Sequence, residues 1–388
     1  MKHNTNLPSV LGVGNALVDI ITVLENDLAL EKFGLPRGSM TLVDVELSKK
    51  IYDTVFSDRS EMSTGGSVAN TIRTLAGLGG RCGYLGKIGN DELGRVFKEE
   101  FEKRGIETHL YFSEKETGRV MGLVSPDSER TMATYLGAAA DLTSADFSAE
   151  IFQQYQYAYM EGYLVFNHDL IKTGVEMAKA AGLKVAIDLA SFNVVEANLN
   201  FLKDIIKNHV DIVFANEQEA RSFTGKEPEQ ALHEIACMCE IAVVKVGSQG
   251  SFIKRGNEII KVDAIKATAV DTTGAGDSYA AGFFYGLTHN YDLETCGKIA
   301  ALISGKVVEV MGANLPGHKW AEIHEGSGEA LKQPVYLCVN FVDNKTQVFG
   351  PGCKIKIVNI NNQKFSQFIN VNPFLVPVVK LFQVINPD

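Results

Sequence analysis

The feature that most constrains the fold is a repeated alternation of short apolar runs with amphipathic stretches, beginning at Val10. Short runs rich in β-branched residues predict buried strands, and the stretches between them carry the apolar period of helices. Strands that alternate with helices form a parallel sheet covered by helices on both faces. The sequence therefore predicts an α/β fold around a mostly parallel sheet. The predicted strands are Val10–Val13, Ala158–Met160, Lys184–Ile187, Ile212–Phe214 and Ile241–Val246, and the predicted helices are Val68–Leu78, Asp91–Arg104, His168–Ala181 and Glu217–Phe223.

Three further strand-like runs have no helix between them. They are Met40–Val43, Arg119–Val124 and Thr131–Tyr135. The last two flank Ser125-Pro126-Asp127-Ser128, a composition typical of a hairpin turn. These runs predict a small antiparallel β layer over one end of the main sheet, either a lid over a ligand or an ordinary extension. We expect its strands to come from about residues 17–45 and 108–136.

The composition changes beyond about Gly326. Five of the ten prolines follow this point, together with many asparagines and short β-like runs. We expect residues 1–325 to form the α/β domain and residues 326–388 to form a C-terminal extension of unknown role. The extension is an added β unit, a partly disordered tail, or a segment unrelated to the chemistry.

Charge and composition disfavour several classes of function. The formal net charge of −10 is unlike that of proteins that bind a nucleic-acid backbone, which carry a basic face. The six cysteines and eight histidines lack the spacing of a disulfide framework or a zinc site. The N-terminus has no apolar core resembling a signal peptide, and no apolar run approaches membrane length. These observations predict a cytoplasmic protein whose partners are small molecules.

The segment DTTGAGDSYAAGFFYG, Asp271–Gly286, predicts an anion site. A strand-like run ends just before it, at Val270, and three small residues then open a helix: Gly274, Ala275 and Gly276. Free N–H groups and the helix dipole at such a start suit a phosphate. Asp277 lies inside this site, where a carboxylate makes chemical sense as the base that deprotonates an attacking hydroxyl. The alternative is a capping aspartate beside packing glycines.

Other polar residues follow the first strands. Gly66, in a Gly-Gly pair, lets a ligand approach the backbone, and Asn70 would present its amide one turn into the next helix. The alternative is an ordinary turn before a helix capped by Ser67. Asn15 and Asp19 follow the first strand and suit paired sugar hydroxyls, or are ordinary polar groups of a loop.

Two later strand ends also carry candidates. Asn216 and Glu219 share a helix face and suit Mg²⁺, directly or through its waters, or are a solvated helix start. Lys245, Gly247 and Gly250 form a turn that suits nucleotide phosphates or is a plain hairpin entry. The P-loop, dinucleotide-binding and protein-kinase motifs are absent from the sequence. A phosphotransferase with this sequence therefore belongs to neither familiar nucleotide-binding class.

In this order, the motifs resemble those of the PfkB-type (ribokinase-like) carbohydrate kinases. The resemblance covers about Val10 to Ile323 and rests on GNALVDI, GGSVANTIRTLAGLGG, GKIGNDELG, FANEQEA and DTTGAGD. Within the family, the sequence is most similar to adenosine kinase and related bacterial purine-nucleoside kinases, through GNALVDI, GSMTLVD and ERTMATYLGAAADLT. The resemblance implies a ribokinase-like fold with a small β lid.

The resemblance also implies roles for individual residues. Asp277 would be the general base, above an anion hole formed by Gly274, Ala275 and Gly276. The acceptor would be bound by Asn15, Asp19, Gly66, Asn70, Met40, Tyr163 and the lid residue Arg130, which would swing toward the phosphates. ATP would lie along Lys245, Gly247, Gly250 and Thr272, and Mg²⁺ would be positioned by Asn216 and Glu219. A monovalent cation near Asp271 and Thr273 is compatible with the family pattern.

One position departs from that pattern. Adenosine kinases stack an aromatic residue on the purine near the segment that here reads Glu161-Gly162-Tyr163-Leu164, where leucine takes the stacking position and Tyr163 comes one residue early. Either Tyr163 substitutes or the pocket differs. Our leading expectation is ATP- and Mg²⁺-dependent phosphorylation of the 5′-hydroxyl of a purine nucleoside. Inosine or guanosine, a free sugar such as ribose or fructose, and a catalytically silent binding protein are the alternatives.

Overall fold

The computed structural model describes residues 9–56, 60–127, 129–330, 338–342 and 345–349. The strands are β1 (Ser9–Val13), β2 (Leu17–Val23), β3 (Met40–Leu42), β4 (Ser60–Gly65), β5 (Arg81–Gly89), β6 (Glu107–Ser113), β7 (Thr117–Val124), β8 (Arg130–Gly137), β9 (Tyr157–Met160), β10 (Lys184–Asp188), β11 (Ile212–Asn216), β12 (Ile241–Lys245), β13 (Ser251–Arg255), β14 (Glu258–Val262), β15 (Cys338–Val342) and β16 (Lys345–Phe349). The α-helices are α1 (Leu28–Phe33), α2 (Val45–Val55), α3 (Ser67–Gly77), α4 (Glu92–Lys103), α5 (Ala149–Phe152), α6 (His168–Ala180), α7 (Phe192–His209), α8 (Glu217–Thr224), α9 (Pro228–Ile235), α10 (Ala275–Thr288), α11 (Leu293–Val307) and α12 (Gly317–Ala330).

The main sheet has nine strands in the spatial order β14-β13-β12-β11-β10-β9-β1-β5-β6. The strands from β12 to β6 in this order pair in parallel, whereas β13 and β14 continue the sheet in antiparallel pairing at one edge. The structure thus confirms the predicted α/β fold. Every predicted strand and helix of the alternating pattern is present, with ends that differ by one or two residues.

Apolar side chains cover both faces of the main sheet. On β1, Val10 lies in one buried cluster and Leu11 lies in the other, because successive side chains of a strand point to opposite faces. The first cluster includes residues of α3, α4, α10 and α11, and the second includes residues of α6, α7, α8 and α9. The sheet is therefore packed between two helical layers, as the sequence predicts.

A second, five-stranded sheet has the order β3-β8-β7-β2-β4, and we call it the lid sheet. Its β7 and β8 form the predicted antiparallel hairpin, with Val124 paired to Arg130. β3 joins β8 and β2 joins β7 in parallel pairing. The lid sheet is therefore mixed, and the predicted antiparallel pairing holds only for β7 with β8 and β2 with β4.

The strands of the lid sheet differ from the expected ranges in two places. β6 falls largely within residues 108–136 but pairs with β5 at the edge of the main sheet. β4 lies outside both expected ranges, yet it pairs with β2. Strand partners that are distant in sequence are set by tertiary packing, which local periodicity does not report.

The two faces of the lid sheet have different neighbours. Val18 and Ile20 share a buried cluster with Ile51 of α2. Ile21 alternates with these residues and points the other way, toward Gly312 in the loop after α11. We call this second side the cleft face, because it is turned toward the main sheet.

The C-terminal part of the chain is described only in portions. α12 crosses the expected boundary at residue 325, and β15 and β16 form an antiparallel hairpin within the expected extension. Residues 331–337, 343–344 and 350–388 lie outside the described residues. Among the helices that are described, none has the length and apolar character needed to cross a membrane.

The division into an α/β domain and a C-terminal extension can be tested by truncation. We expect a chain that ends at Ala330 to unfold cooperatively, because both sheets and the buried clusters described between Val10 and Ile323 stay intact. Thermal unfolding followed by circular dichroism, beside the full chain, provides the measurement. A truncated chain that lacks a cooperative transition would show that the last residues belong to the core.

Candidate active site

Polar side chains meet at one edge of the main sheet. Asp188, Asn216 and Lys245 are the last residues of the neighbouring parallel strands β10, β11 and β12. Asn15 and Glu161 follow the ends of β1 and β9, which continue the same row. Ligands of open α/β sheets bind outside the carboxyl ends of the strands, so this edge is the candidate site.

The N-terminus of α10 lies at this edge. Gly274 precedes the helix with φ of 73°, and a Cβ there would lie 2.3 Å from the Cβ of Ala313. Only glycine fits this conformation and this space. The predicted strand ending at Val270 is wrong: residues 263–270 form a loop, held where the Val270 N–H donates to the Val308 carbonyl at 2.7 Å. As in every α-helix, the first N–H groups have no partner within the helix, and they point along its axis.

Asp277, in the first turn of α10, is held by two groups of α3. The Asn70 amide donates to its Oδ2 at 3.0 Å, and the Ser67 hydroxyl lies 2.7 Å from its Oδ1. Burial raises the pKa of Asp277 to about 6, against the effect of these two hydrogen bonds and of nearby Lys245. A carboxylate with such a pKa is ionised at neutral pH and is a stronger base than an ordinary aspartate.

Arg73 fixes the orientation of the Asn70 amide. Its guanidinium donates to the Asn70 Oδ1 and to the carbonyl of Ala313, both at 2.9 Å, and also to the carbonyl of Thr64. The Asn70 NH₂ group is thereby turned toward Asp277. Burial lowers the pKa of Arg73 to about 10, which leaves it charged at neutral pH.

Ser67 has a different place from the one predicted. The N-cap of α3 is Gly66, and Ser67 is the first helical residue, so the capping alternative is wrong. The Ser67 hydroxyl instead lies between two carboxylates, 2.7 Å from Asp277 and 3.0 Å from Asp188. Gly66 has φ of 100°, and a Cβ there would lie 2.2 Å from the Asn15 carbonyl oxygen, so this turn requires glycine.

Asp19 projects from β2 into the site. It is paired with Ser63 of β4, and its carboxylate lies against the backbone of Gly65, where a Cβ would overlap it. Burial raises the pKa of Asp19 to about 6, although Arg73 and Arg130 lower it. Gly65, which the sequence marked only through its pair with Gly66, is thus the residue that makes room for this carboxylate.

Asn15 is bound to a buried carboxyl group. Its side-chain amide donates to Glu161, and its backbone N–H donates to the same group at 3.3 Å. The Val68 N–H of α3 donates to Glu161 as well, at 3.3 Å. Burial and the nearby Asp188 raise the pKa of Glu161 to about 8. Burial thus favours the neutral form of Glu161, against the three N–H donors, which favour the carboxylate.

The lid sheet reaches the loop before α10 through one ion pair. The Arg130 guanidinium lies 2.7 Å from the Asp271 carboxylate, and both side chains are only 11% exposed. It also donates to the Thr273 hydroxyl at 2.7 Å. Asp271 accepts from the Gly312 N–H at 2.6 Å, so one carboxylate joins the lid, this loop and the loop after α11. Arg130 thus contacts the residues for which a monovalent cation is predicted.

The cleft face of the lid sheet carries apolar side chains next to the polar residues Asp19, Arg130 and Thr134. Met40 and Leu42 of β3 pair with Met132 and Thr134 of β8, and Ile21 lies on the same face. Met40 and Leu42 remain 46% and 60% exposed. These two side chains leave apolar surface open on the lid sheet, and the role of Met40 in binding an acceptor stays a prediction.

The residues predicted to bind ATP and Mg²⁺ lie beyond Asp188 along the sheet edge. The Lys245 amine lies 3.0 Å from the position of a Cβ on Gly276, at the start of α10. Asn216 and Glu219 form a capping box at the start of α8. The Asn216 Oδ1 accepts from the Glu219 backbone N–H at 2.9 Å, and the Glu219 carboxylate accepts from the backbone N–H and the side-chain amide of Asn216. Among the described residues, no group of three or more His, Cys, Asp and Glu side chains forms a metal site.

Three further predicted residues flank this region. Gly247 begins a short 3₁₀ turn between the antiparallel β12 and β13, and Gly250 ends it with φ of 93°. These residues therefore form the connection of an antiparallel hairpin, and their role toward a nucleotide stays a prediction. Thr272 is exposed beside the anion site.

Tyr163, the proposed substitute for a stacking aromatic, is half-buried against the core cluster that contains α7. Burial, together with the carboxylates of Asp188 and Glu161, raises its pKa to about 12. The Tyr163 ring is therefore placed by contacts to α7 and not by contacts to the lid sheet.

The geometry of this edge agrees with comparisons to known proteins. Residues 39–320 match the model of the pfkB family carbohydrate kinases. The chain is 34% identical to the solved structure of an adenosine kinase from Sinorhizobium meliloti, with a TM-score of 0.74 over 82% of this chain and 99% of that one. It is 35% identical to a probable sugar kinase from Rhizobium etli, with a TM-score of 0.73 over 82% and 98% of the two chains. Adenosine kinase 2 of Arabidopsis thaliana is 25% identical over 81% of this chain and 98% of its own.

The fold and these matches define a phosphotransferase that acts on a hydroxyl group. The chain belongs to the pfkB family of carbohydrate kinases. Membership in this family implies ATP as the co-substrate.

Sequence reasoning missed four side chains of the site: Ser67 in its observed role, Arg73, Glu161 and Asp188. Each contacts a residue far away in the sequence, such as Asp188 with Ser67 or Arg73 with Ala313. One signal was available, because Asp188 directly follows the predicted strand Lys184–Ile187. A charged residue after an apolar run marks the carboxyl edge of a parallel sheet.

The pH dependence of stability tests the state of Glu161. A carboxyl group whose pKa is raised by folding holds its proton more tightly in the native state, so its contribution to stability is lost as pH rises from about 4.5 to 8. We expect Glu161→Gln to flatten the fall in unfolding free energy between pH 5 and 8, with the Asn15 amide turned to accept from the new NH₂ group. Urea unfolding of both proteins at several pH values provides the measurement. Parallel pH profiles would show that Glu161 is ionised in the native protein.

Proposed function

We propose that this protein transfers the γ-phosphoryl group of ATP to the 5′-hydroxyl of a purine nucleoside. One observation carries this proposal: the Asp277 carboxylate lies at the start of α10, held by Ser67 and Asn70, and the lid sheet contacts the loop that leads into the same helix through Arg130. A site with a base, an anion-binding helix start and a flat apolar cover suits a ligand that joins a hydroxyl to an aromatic base.

Asp277 acts as the general base. It takes the proton of the acceptor hydroxyl as that oxygen attacks the γ-phosphorus, while the backbone N–H groups of Gly274, Ala275 and Gly276 bind the transferring phosphoryl group. The pKa of about 6 keeps Asp277 ionised at neutral pH. Its hydrogen bonds to Asn70 and Ser67 hold the carboxylate in a fixed orientation.

Asp19 and Asn70 hold the ribose, with Asn15 and Gly66 beside them. The Asp19 carboxylate has no cation in hydrogen-bond contact among the described residues, which leaves its oxygens open to two adjacent hydroxyls. Asn70 keeps one N–H beyond the one that it gives to Asp277. Fixing the sugar at two hydroxyls places the third in line with the phosphoryl group.

The cleft face of the lid sheet binds the base. Met40, Leu42 and Met132 supply an apolar surface that a free sugar does not need. Tyr163 is a weaker candidate for stacking, because its side chain packs against the buried cluster that contains α7. Lid closure excludes water, which otherwise competes as the acceptor.

ATP and magnesium lie on the Lys245 side of Asp277. The Lys245 amine over Gly276 neutralises phosphate charge, and Gly247, Gly250 and Thr272 line the nucleotide. Asn216 and Glu219 satisfy each other in the capping box, so the pair suits Mg²⁺ through water ligands that use the remaining lone pairs of the carboxylate. When the lid closes over ATP, Arg130 would leave Asp271 for the phosphates, and Asp271 and Thr273 would be the residues that hold a monovalent cation.

ADP release tests the reaction and its base. We expect Mg²⁺-dependent turnover with adenosine, inosine or guanosine in a panel that also holds ribose and fructose. Asp277→Asn should lower kcat by about two to four orders of magnitude while nucleoside and ATP affinities stay near those of the parent protein. Near-normal turnover of the variant would remove Asp277 from this role.

The ribose assignment is tested at Asp19. We expect Asp19→Ala to raise the KM for the nucleoside by about tenfold or more, since a hydrogen bond to a charged group is worth about 1.5–3 kcal/mol. The KM for ATP should change little. Equal nucleoside affinities of variant and parent, measured by calorimetry, would contradict the assignment.

A sugar kinase is the second candidate. The relative from Rhizobium etli is described as a probable sugar kinase, and no stacking aromatic occupies the expected position. The two candidates differ at Leu42, which is 60% exposed on the lid sheet. For a nucleoside kinase, we expect Leu42→Ser to raise the KM for the nucleoside severalfold. Turnover with ribose or fructose alone, unaffected by this substitution, would favour the second candidate.

A further inference from the structure

The Ser67 hydroxyl lies between two carboxylates that belong to different elements. Its oxygen lies 2.7 Å from the Oδ1 of Asp277 on α10 and 3.0 Å from the Oδ2 of Asp188 on β10. The other oxygen of each carboxylate accepts an N–H, from Asn70 on Asp277 and from the Gly162 backbone on Asp188, at 3.0 and 2.7 Å. The two carboxylates therefore face each other across one hydroxyl.

A hydroxyl carries one proton and donates one hydrogen bond. If both carboxylates were ionised, only one of these contacts would be a hydrogen bond, and the other would set two electron-rich oxygens against each other. If the pair holds one proton, Ser67 accepts from the protonated carboxyl and donates to the ionised one. Both contacts are then favourable, so the observed geometry fits a pair that shares a proton.

We propose that Asp188 is a positioning residue for the general base, sharing one proton with Asp277 through Ser67. This inference rests on the proposed role of Asp277. When the shared proton lies on Asp277, Asp277 passes it to the Ser67 oxygen as Ser67 passes its own proton to Asp188. The charge of the pair is unchanged, and Asp277 becomes the ionised partner.

The transfer step then balances. The acceptor hydroxyl gives its proton to Asp277, its oxygen forms the bond to the γ-phosphorus, and ADP leaves with the electron pair of the broken P–O bond. The pair now holds two protons, and one is released to water after the lid opens. Asp188 thus lets Asp277 act at a pH where the pair still keeps a proton.

Other groups around the pair act on the same titration. Asp277 faces the cations of Lys245 from β12 and Arg73 from α3, and the hydroxyl of Tyr159 from β9. Asp188 faces Lys245, the Tyr159 hydroxyl, and the carboxyl groups of Glu161 and Glu219. Burial raises the pKa of both aspartates, and Lys245 lowers both. Removing Asp188 leaves these cations in place, so the pKa of Asp277 should fall.

The experiment measures this pKa directly. In protein labelled with ¹³C at the aspartate carboxyl groups, the Asp277 signal is identified by its loss in Asp277→Asn. We expect Asp188→Asn, which keeps a donor to Ser67, to lower the titration midpoint of Asp277 by about one pH unit, a tenfold change in proton affinity. The acid limb of kcat/KM for the nucleoside should move to lower pH by a similar amount.

Ser67 variants separate coupling from charge. Ser67→Ala keeps both carboxylates but removes their link, and we expect a lower kcat and an altered Asp277 midpoint. Ser67→Thr keeps the hydroxyl, and we expect its kcat and its Asp277 midpoint to equal those of the parent protein. Glu294→Gln, which removes a unit charge from a side chain that is 58% exposed on α11, is the matched control and should leave the Asp277 titration unchanged.

The outcomes separate this inference from the proposed function. An Asp277 midpoint that is the same in Asp188→Asn and the parent would overturn the inference, even if activity fell, because that result describes a structural role only. Retained turnover in Asp277→Asn would instead remove the base role itself. Loss of turnover in Asp277→Asn, with a shifted midpoint in Asp188→Asn, would support both.

Discussion

The contact between the first turns of α3 and α10 holds the site together. Ser67 and Asn70 of α3 bind the Asp277 side chain, and the Thr71 hydroxyl donates to its backbone carbonyl at 3.1 Å. Both helices pack on the same face of the main sheet through a shared apolar cluster. Since each helix start carries partial positive charge, two dipoles converge on this carboxylate. The apolar core of one sheet face thereby fixes the geometry of a polar site at its edge.

Local patterns in the sequence were enough to predict most of the main domain. Apolar periodicity located the parallel strands, and the glycine motifs located Gly66 and Gly274, where the backbone requires glycine. The strand predicted to end at Val270 is wrong: residues 263–270 form a loop in which every residue except Ile265 is exposed, so the strand-like composition of this run reports neither burial nor pairing. Ser67 and Asp188 could not be joined from sequence, since their contact depends on how α3 packs above β10. Electrostatic features such as the raised pKa of Glu161 depend on burial, which only the folded chain defines.

The site keeps several carboxyl groups away from water. Burial raises the pKa values of Asp19 and Asp277 to about 6, and that of Glu161 to about 8. Each shift is a free-energy cost of folding at neutral pH, which the apolar clusters on both sheet faces must offset. Arg73 reduces this cost at Asp19 and Asp277, because its charge lies near both. A stable fold that carries a destabilising polar sheet edge is what we expect of a protein whose site performs chemistry.

Side chains along each strand of the lid sheet alternate between its two faces. Every second residue of β8 points to the cleft face. Arg130 and Met132 therefore share this face, while Thr131 and Ala133 point to α2. A single inserted or deleted residue within this strand would exchange the two sets, burying an arginine in an apolar layer and exposing alanine to the ligand. The number of residues in β8 is therefore constrained more strictly than the identity of any one of its side chains. Acceptor preference in a lid of this kind can change by substitution along one face, while changes of length are confined to the hairpin loop.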